Sequence, residues 1–380
     1  MSALHSYTAR FAAAACALTA GVLLAAGSAD ASGGGLEVSA TGGSDANPCT
    51  HRAPCKTIAH AVGVARSGDA ITVDPGTYPE QVTVSQRVSL EGRGAVVDAS
   101  GNINGIVVSG PGAAGTTVRG FEVENALGEG ILAVSTTHVQ IIDNRLHDND
   151  KGTNTPVTPE CAAQGDVPGD CGEALHLMGV TDSQVVNNDV EHNVGGILVT
   201  DETGPSRGNR ISGNLSRDNL EDCGITLPSH NGDAVADPSK GGVYDNVVVG
   251  NRSEGNGGAG VGMFAPFPGT ASYDNRVIGN TLLNNGEAGV AIHAHTPGEN
   301  VSGNAIIANR VAGNGVDPDA DSKQPVGIAL FSAGTPASVI VDGNSIADEY
   351  FGVFIAGPVT ADGVAHNHFA GSVTVPVGHP

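Results

Sequence analysis

The sequence is short of aromatic residues and of positive charge. Its 380 residues include no tryptophan, three methionines and only 3% aromatic residues. Lysine and arginine together number 17, against 40 aspartate and glutamate residues, so the formal net charge is −23. Such a chain lacks the basic surface that binds phosphate backbones or anionic membranes. We therefore expect no nucleic-acid partner.

Glycine, by contrast, is abundant, with 56 residues. The glycines show no three-residue period, which excludes a collagen-like chain. A hydrophobic content of 39% excludes a disordered one. The composition therefore predicts a large folded core with many tight turns.

The first 31 residues have the pattern of an export signal. Arg10 precedes an apolar run from Phe11 to Gly27, and Ala29-Asp30-Ala31 forms a small-residue cleavage pattern. The run is short and rich in alanine for a membrane span. We predict a signal peptide over 1–31, a secreted or extracellular protein, and no membrane attachment after cleavage.

Five cysteines remain beyond this segment, and an exported protein can keep disulfides. We predict Cys49–Cys55 and Cys161–Cys171, with Cys223 free. No CxxC pair or adjacent His/Cys cluster is present, so cysteine chemistry predicts no metal site.

Asparagine pairs five residues apart recur along the chain, each followed by a short apolar segment usually opened by glycine. The pairs are Asn144/Asn149, Asn188/Asn193, Asn214/Asn219, Asn251/Asn256, Asn280/Asn285 and Asn309/Asn314. Two short strands per repeat, with no helix-length apolar pattern between them, predict a parallel β-solenoid. Asparagines at one place in successive coils can stack, bond from coil to coil and take left-handed conformations. We interpret them as structural.

The N-terminal part has a different pattern, typical of an end cap. In KTIAHAVGVAR, residues 56–66, Ile58, Val62 and Ala65 fall on one helical face. A solenoid needs such a cap over its open end. We predict a cap segment over 32–69 and a β-helix domain over 70–380.

The pattern C-x5-CKTIAHAV-x5-GD-x-ITVDPGTYPE-x-V, followed by G-I-x-L and N-x-I-x-x-N coils, resembles secreted right-handed parallel β-helix proteins. These belong to the pectate-lyase-like superfamily and carry NosD-type repeats. The resemblance covers the mature chain and implies an all-β, single-stranded, right-handed parallel β-helix of about ten coils with a short N-terminal capping helix. It implies little about chemistry, because the superfamily includes lyases, hydrolases, esterases, epimerases and non-catalytic adhesins.

Aligning the strands on their opening glycine predicts which side chains point outward. The first and third positions after the glycine are apolar almost throughout, so the second, fourth and sixth are expected to face solvent. The outward histidines, threonines and aromatic residues include His176, Thr200, Thr226, Phe264, His293, His295 and Phe331. With Arg207, we predict them to bind substrate.

Glu202 and His230 fall at the same position on adjacent coils, within reach of an acid/base pair. Asp201 lies beside Glu202, and Asp222 lies at the entry to the strand before His230. These four residues form our predicted catalytic group. The alternative interpretation is a solvated row of polar residues at a strand end.

Two weaker metal patterns are also present. His293-x-His295 places two imidazoles on one strand face, but the sequence shows no third ligand nearby. The acidic run Asp317-Pro-Asp-Ala-Asp321 has alternating carboxylates that can bind Ca²⁺, without the longer calcium-loop signature. We therefore predict no transition-metal site and retain Ca²⁺ as a candidate cofactor.

The leading hypothesis is a secreted carbohydrate-active enzyme that cleaves an extended polysaccharide, by lyase-type or hydrolytic chemistry, in a groove on the outer sheet face. The alternative is a non-catalytic glycan-binding or cell-surface solenoid. The sequence predicts neither the glycan nor the oligomeric state.

Overall fold

A computed structural model describes residues 35–150 and 172–380, and in these ranges the chain is a right-handed parallel β-helix. All pairs of strands in the described ranges are parallel, as register pairs such as Ile197 with Ile225 illustrate. The predicted fold is confirmed. The predicted signal peptide and the Cys161–Cys171 disulfide lie outside the described residues. No helix within the two described ranges is both long and apolar enough to cross a bilayer.

Eleven strands of the described chain form one face, here called the front sheet. They are Val82–Val84, Ile106–Ser109, Ile131–Val134, Glu173–Met178, Gly195–Thr200, Ile225–Pro228, Val261–Ala265, Val290–Ala294, Val326–Ser332, Phe351–Ala356 and Val375–Gly378.

The other two faces merge into one sheet of 21 strands within the described ranges. One face contains Leu36–Val38, Ala70–Val73, Ser89–Asp98, Thr117–Glu124, Gln140–Ile142, Gln184–Val186, Arg210–Ser212, Val247–Val249, Arg276–Ile278, Ala305–Ile307, Ala337–Asp342 and Val359–Asp362. The other contains Gly76–Tyr78, Arg145–His147, Asp189–Glu191, Leu215–Arg217, Arg252–Glu254, Thr281–Leu283, Arg310–Ala312, Ser345–Ala347 and His368–Phe369.

A short side sheet joins Ser206–Arg207, Val243–Tyr244 and Ser272–Tyr273. Two 3₁₀ turns, Pro111–Ala113 and Val364–His366, complete the regular structure of the described ranges.

The inward positions of the front sheet behave as the alternation predicts. Ile197, Val199, Ile225 and Leu227 are fully buried in the core. Each coil contributes a few such apolar side chains, so neighbouring coils must stack to close the core.

Buried asparagine ladders run along the coils. The Nδ2 group of Asn251 donates to Oδ1 of Asn280 at 3.0 Å, and Asn280 donates in the same way to Asn309 at 3.0 Å. The first ladder comprises Asn144, Asn188, Asn214, Asn251, Asn280, Asn309, Asn344 and Asn367. The second comprises Asn149, Asn193, Asn219, Asn256, Asn285 and Asn314. The predicted stacking at one corner is confirmed.

The left-handed conformation expected at these asparagines is taken instead by the preceding residue, for every ladder asparagine except Asn367. Asp143 and Asn187 have φ of 55°, and Gly213 has φ of 67°. This preceding residue makes the corner, which leaves the asparagine free to direct its amide along the ladder.

The N-terminal helix, α1, spans Ile58–Val64. Thr57 caps it by accepting a hydrogen bond from the His60 amide at 3.2 Å. The carboxylate of Glu80 accepts from the amides of Ile58 and Ala59 at 2.9 and 2.8 Å. The predicted helical segment is confirmed.

The strand Leu36–Val38 pairs with Ala70–Val73, so a segment before residue 70 adds a strand to the sheet. The predicted Cys49–Cys55 disulfide is present beside this strand. Cys223 is free and buried.

Candidate functional site

The strand register sorts the predicted outward side chains into two rows on the front sheet. His176 aligns with Leu198, which aligns with Thr226. Phe264 aligns with His293, which aligns with Phe331. His176 and His293 therefore lie in different rows as well as on different coils.

The expectation that these rows face solvent is wrong. His176 and Thr200 are fully buried, Thr226 is 4% exposed and His293 is 1% exposed. Phe264, Phe331 and His295 are half-buried. The strand alternation fixes which side of the sheet a residue is on but not whether that side is covered. On this side Asp317, from the segment before the strand Val326–Ser332, contacts His293. Glu202 in turn contacts Thr200.

Glu202 and His230 are in direct contact. Nδ1 of His230 lies 2.6 Å from Oε1 of Glu202. The side chain of His230 is 4% exposed and that of Glu202 is 11% exposed, so the pair is shielded from water. Burial pushes the pKa of Glu202 upward, but the hydrogen bond from His230 and the charges of His176 and His230 outweigh it and hold the pKa below its usual value.

A chain of hydrogen bonds leads from this pair into the sheet. The hydroxyl of Thr200 donates to Oε2 of Glu202. Nε2 of His176 lies 2.8 Å from the same hydroxyl. Because the Thr200 hydroxyl donates its only proton to Glu202, it accepts a hydrogen bond from Nε2–H of His176. Nδ1 of His176 lies 3.9 Å from the fully buried Glu129. The network gives Glu202 two donors, Thr200 and His230.

Asp201 does not face outward but binds the segment 229–242 through hydrogen bonds. Its carboxylate accepts hydrogen bonds from the Ser229 hydroxyl at 2.8 Å, from the amides of His230 and Asn231 at 2.5 and 3.1 Å, and from the Gly242 amide. Burial raises the pKa of Asp201 despite these donors. Since both oxygens are engaged with the 229–242 segment, Asp201 positions His230 and is not available to a substrate.

Asp222 lies at the entry to the strand Ile225–Pro228. It accepts a hydrogen bond from the Cys223 amide at 2.6 Å, and burial raises its pKa. Its link to His230 is electrostatic. Thr226 is buried beside the Cys223 thiol.

Arg207 is not on the front sheet. It is exposed in the side sheet, where its backbone pairs with Tyr244. Tyr244 stacks on Tyr273 with ring centroids 4.9 Å apart. The structure therefore separates Arg207 from the other predicted substrate-binding residues.

A second cluster surrounds His293. Its Nε2 lies 3.0 Å from Oδ2 of Asp317, and its Nδ1 lies 3.7 Å from Oδ2 of Asp319. His295 approaches the same Asp319 oxygen at 3.6 Å through its Nε2. Burial alone would lower the pKa of His293, but the two carboxylates raise it to about 9.

The three carboxylates of the acidic run have different partners. Asp317 bonds to His293 and to the Ala320 amide, Asp319 faces the two imidazoles, and Asp321 pairs with Lys323. Their oxygens do not converge as an oxygen-rich calcium site requires.

Sequence reasoning missed the buried acids Glu129 and Glu173. It treated Asp317 and Asp319 as a candidate calcium run and did not predict their contact with His293. Glu129 and Glu173 occupy equivalent places on adjacent coils, each two residues before a member of the register pair Ile131 and Leu175. The sequence could have revealed this repeat. Asp317 and Asp319 reach His293 from a loop more than 20 residues away. No local pattern predicts that contact.

Solved structures with this architecture exist. The surface adhesin PfbA of Streptococcus pneumoniae superposes with a TM-score of 0.51 at 13% identity, covering 85% of this chain and 87% of that chain. The Dettilon tailspike protein superposes at 0.55 with 14% identity, covering 85% and 63%. Pectate lyase Pel9A gives 0.47 with 16% identity, covering 88% and 78%. At such identities the similarity to the first two supports the fold alone.

No curated protein matches the sequence. A family model described as periplasmic copper-binding protein (NosD) matches residues 89–377, which is most of the β-helix. This agrees with the strand and asparagine repeats described above, and the chain belongs to the NosD family.

Proposed function

We propose that this protein acts outside the cytoplasm on an extended polysaccharide, bound along the front sheet and cleaved by proton transfer at Glu202 and His230. The observation that carries the proposal is the shielded contact between these two side chains, 2.6 Å long. A histidine oriented by a buried carboxylate is a common general base.

The hydrogen-bond network assigns the proton positions. Glu202 is an acceptor for both Thr200 and His230, so the neutral imidazole of His230 carries its proton on Nδ1. The lone pair of that imidazole is then on Nε2. Glu202 positions the ring and stabilises the imidazolium that forms when Nε2 takes a proton.

This arrangement favours elimination over hydrolysis. A lyase needs a base to remove the proton next to a uronate carboxylate and an acid to protonate the departing glycosidic oxygen. The proton that Nε2 of His230 takes up is the one returned to that oxygen, so the imidazole serves as base and then as acid. A hydrolase needs two carboxyl groups on either side of the bond. Glu202 is engaged by His230 and Thr200, and Asp201 is engaged by the 229–242 segment.

Other features support an extended glycan. Coils are about 4.8 Å apart, close to the length of one sugar residue, and Phe264 and Phe331 offer half-buried rings on the same face. Because the net charge of −23 repels polyanions, a uronate substrate requires a bound cation. The side chain of His230 is only 4% exposed, so a substrate can contact it only after a local rearrangement of the residues around it.

The test is a polysaccharide panel with two separate readouts, absorbance of unsaturated products and new reducing ends. We expect unsaturated products, and we expect Glu202→Gln and His230→Gln to lower turnover by about 10²-fold or more. His366→Gln is a matched control, because His366 also pairs with a carboxylate, Asp342 at 3.0 Å, but on the exposed surface. It should retain full activity.

Two outcomes contradict the proposal. If the parent cleaves a glycan and both dyad variants keep full activity, the catalytic centre lies elsewhere. If the parent binds glycans without cleaving any, the protein is a glycan-binding solenoid and the enzyme proposal fails.

The family description also names copper. Among the described residues, His293, His295 and Asp319 supply two imidazole nitrogens and one carboxylate oxygen, which suit Cu²⁺ and Zn²⁺. Metal binding by these three side chains does not depend on the proposed cleavage of a glycan at Glu202 and His230.

A further inference from the structure

We propose that His293, His295 and Asp319 form a binding site for one divalent first-row transition-metal ion, with an open coordination position toward solvent. Each side chain offers one donor atom, and the three atoms lie within 4.8 Å of one another. The nitrogens that approach Oδ2 of Asp319 are Nδ1 of His293 and Nε2 of His295.

The spacing of the donors fits a small ion. Nitrogen and oxygen ligands lie about 2.0–2.2 Å from Zn²⁺, and in a tetrahedron such ligands are roughly 3.4 Å apart. The Asp319 oxygen is 3.7 Å from His293 Nδ1 and 3.6 Å from His295 Nε2. These two distances exceed the tetrahedral value by a few tenths of an ångström, and the two imidazole donors lie within 4.8 Å of each other.

A second, independent observation is the state of the imidazole nitrogens. The side chain of His293 is 1% exposed, and its Nδ1 is buried without a hydrogen-bond partner among the described residues. Nε2 of His295 is likewise a buried atom without a hydrogen-bond partner among the described residues. Buried polar atoms of this kind require an explanation, and a shared cation supplies one for both.

The other face of the His293 ring is already arranged as metal sites require. Its Nε2 bonds to Asp317, whose side chain is fully buried and also accepts from the Ala320 amide at 2.9 Å. A carboxylate that holds the far nitrogen of a ligating histidine fixes the ring orientation and directs the near nitrogen at the ion. Asp317 is therefore a positioning residue.

Two other groups of potential metal ligands occur in the described ranges, but their donor atoms already have partners. Cys49 and Cys55 are joined in a disulfide. In the cluster of Glu122, Glu124 and His147, the cation Arg145 already lies 2.6 Å from Glu122, and His147 bonds through both ring nitrogens. The His293 cluster has no arginine or lysine among its described ion-pair partners.

The chemistry of the donors selects the class of ion. Two imidazoles and one carboxylate suit Zn²⁺, Cu²⁺ and their neighbours, whereas Ca²⁺ requires six to eight oxygens. His295 is 33% exposed and Asp319 is 56% exposed, so the fourth position faces outward, where water or a substrate oxygen can bind.

The test uses the full chain without a histidine tag, freed of metal by a chelator. Titration calorimetry with Zn²⁺ and with Cu²⁺ should show one ion per chain, with Cu²⁺ the tighter, and Ca²⁺ should give no comparable binding. The Cu²⁺ electron paramagnetic resonance spectrum should show coupling to two imidazole nitrogens.

The partly exposed ligands provide the variants, since removing them leaves folding intact. His295→Ala and Asp319→Asn should each weaken Cu²⁺ and Zn²⁺ binding at least tenfold, and His295→Ala should reduce the nitrogen coupling to one imidazole. Asp317→Asn should weaken binding about 10–100-fold while both imidazoles stay coordinated. Asp321→Asn, in the same loop but paired with Lys323, should bind as the parent does.

The proposal is overturned if the parent binds no ion stoichiometrically, or if His295→Ala and Asp319→Asn bind as tightly as the parent. Both readouts report binding, so their outcome is independent of whether any glycan is cleaved.

Discussion

Glu349 offers a sharp test of the asparagine ladders because it occupies a ladder position as an acid. It follows Asn314 in the second ladder, and its Oε1 accepts from the Asn314 amide at 2.9 Å and from Nδ2 at 3.0 Å. Its Oε2 is buried without a hydrogen-bond partner among the described residues. Burial raises the pKa of Glu349 from 4.5 to about 7.

The raised pKa makes stability depend on pH. A carboxyl whose pKa is higher in the folded than in the unfolded state contributes fully below the unfolded value and loses that contribution as pH rises through the folded value. A change from 4.5 to about 7 corresponds to at most about 3 kcal/mol of stability lost above pH 8. Glu349→Gln keeps the Oε1 acceptor and removes the charge.

We therefore expect Glu349→Gln to differ little from the parent near pH 4.5 and to be more stable by up to about 3 kcal/mol above pH 8. Urea unfolding at several pH values, followed by circular dichroism, measures the difference. The exposed Glu221→Gln is the control and should show no such pH trend. A difference between Glu349→Gln and the parent that is constant across pH would refute the reasoning.

Three further predictions follow from single contacts. Asn280→Ala removes the acceptor of Asn251 and leaves buried polar groups unpaired, so it should cost about 3 kcal/mol or more in urea unfolding; a loss below about 1 kcal/mol would contradict the ladder's role. Asp201→Asn should loosen the 229–242 segment, because it weakens four hydrogen bonds; limited proteolysis should then cut there faster than in the parent, and equal rates would argue against this anchor. Burial raises the pKa of the Cys223 thiol well above its usual value, so iodoacetamide should label it only after unfolding; rapid labelling of the native protein would show that the thiol is accessible.

The fold could be predicted from the sequence because each coil is encoded by a short local repeat. The five-residue asparagine spacing and the strand after each pair recur in six successive coils. Each repeat buries its apolar side chains only by stacking on the next. The spacing extends to Asn344 and Glu349, so the acidic ladder position was also visible in the sequence.

The candidate site was predictable only in part. Alignment on the opening glycines brings Glu202 and His230 to the same position on adjacent coils, and the structure places them in contact. The same alignment could not show that this side of the sheet is covered. Burial there comes from long segments whose path depends on tertiary contacts, such as the bonds of Asp201 to the 229–242 segment. Substitution of either Glu202 or His230 would leave the other side chain without its hydrogen-bond partner.

The two clusters on the front sheet are close enough to serve one substrate and too far apart to share one ion. His230 follows the strand Ile225–Pro228, and His293 lies on Val290–Ala294, two coils further along, a separation of about 10 Å. A metal ion bound about 2 Å from its ligands therefore cannot also contact Glu202, whereas an extended glycan of a few sugars can reach both clusters. It follows that Glu202→Gln should lower turnover by about 10²-fold or more yet leave Cu²⁺ stoichiometry, affinity and nitrogen coupling unchanged. A tenfold loss of Cu²⁺ affinity in Glu202→Gln would contradict two separate sites, because a side chain about 10 Å from the ligands cannot coordinate the ion directly.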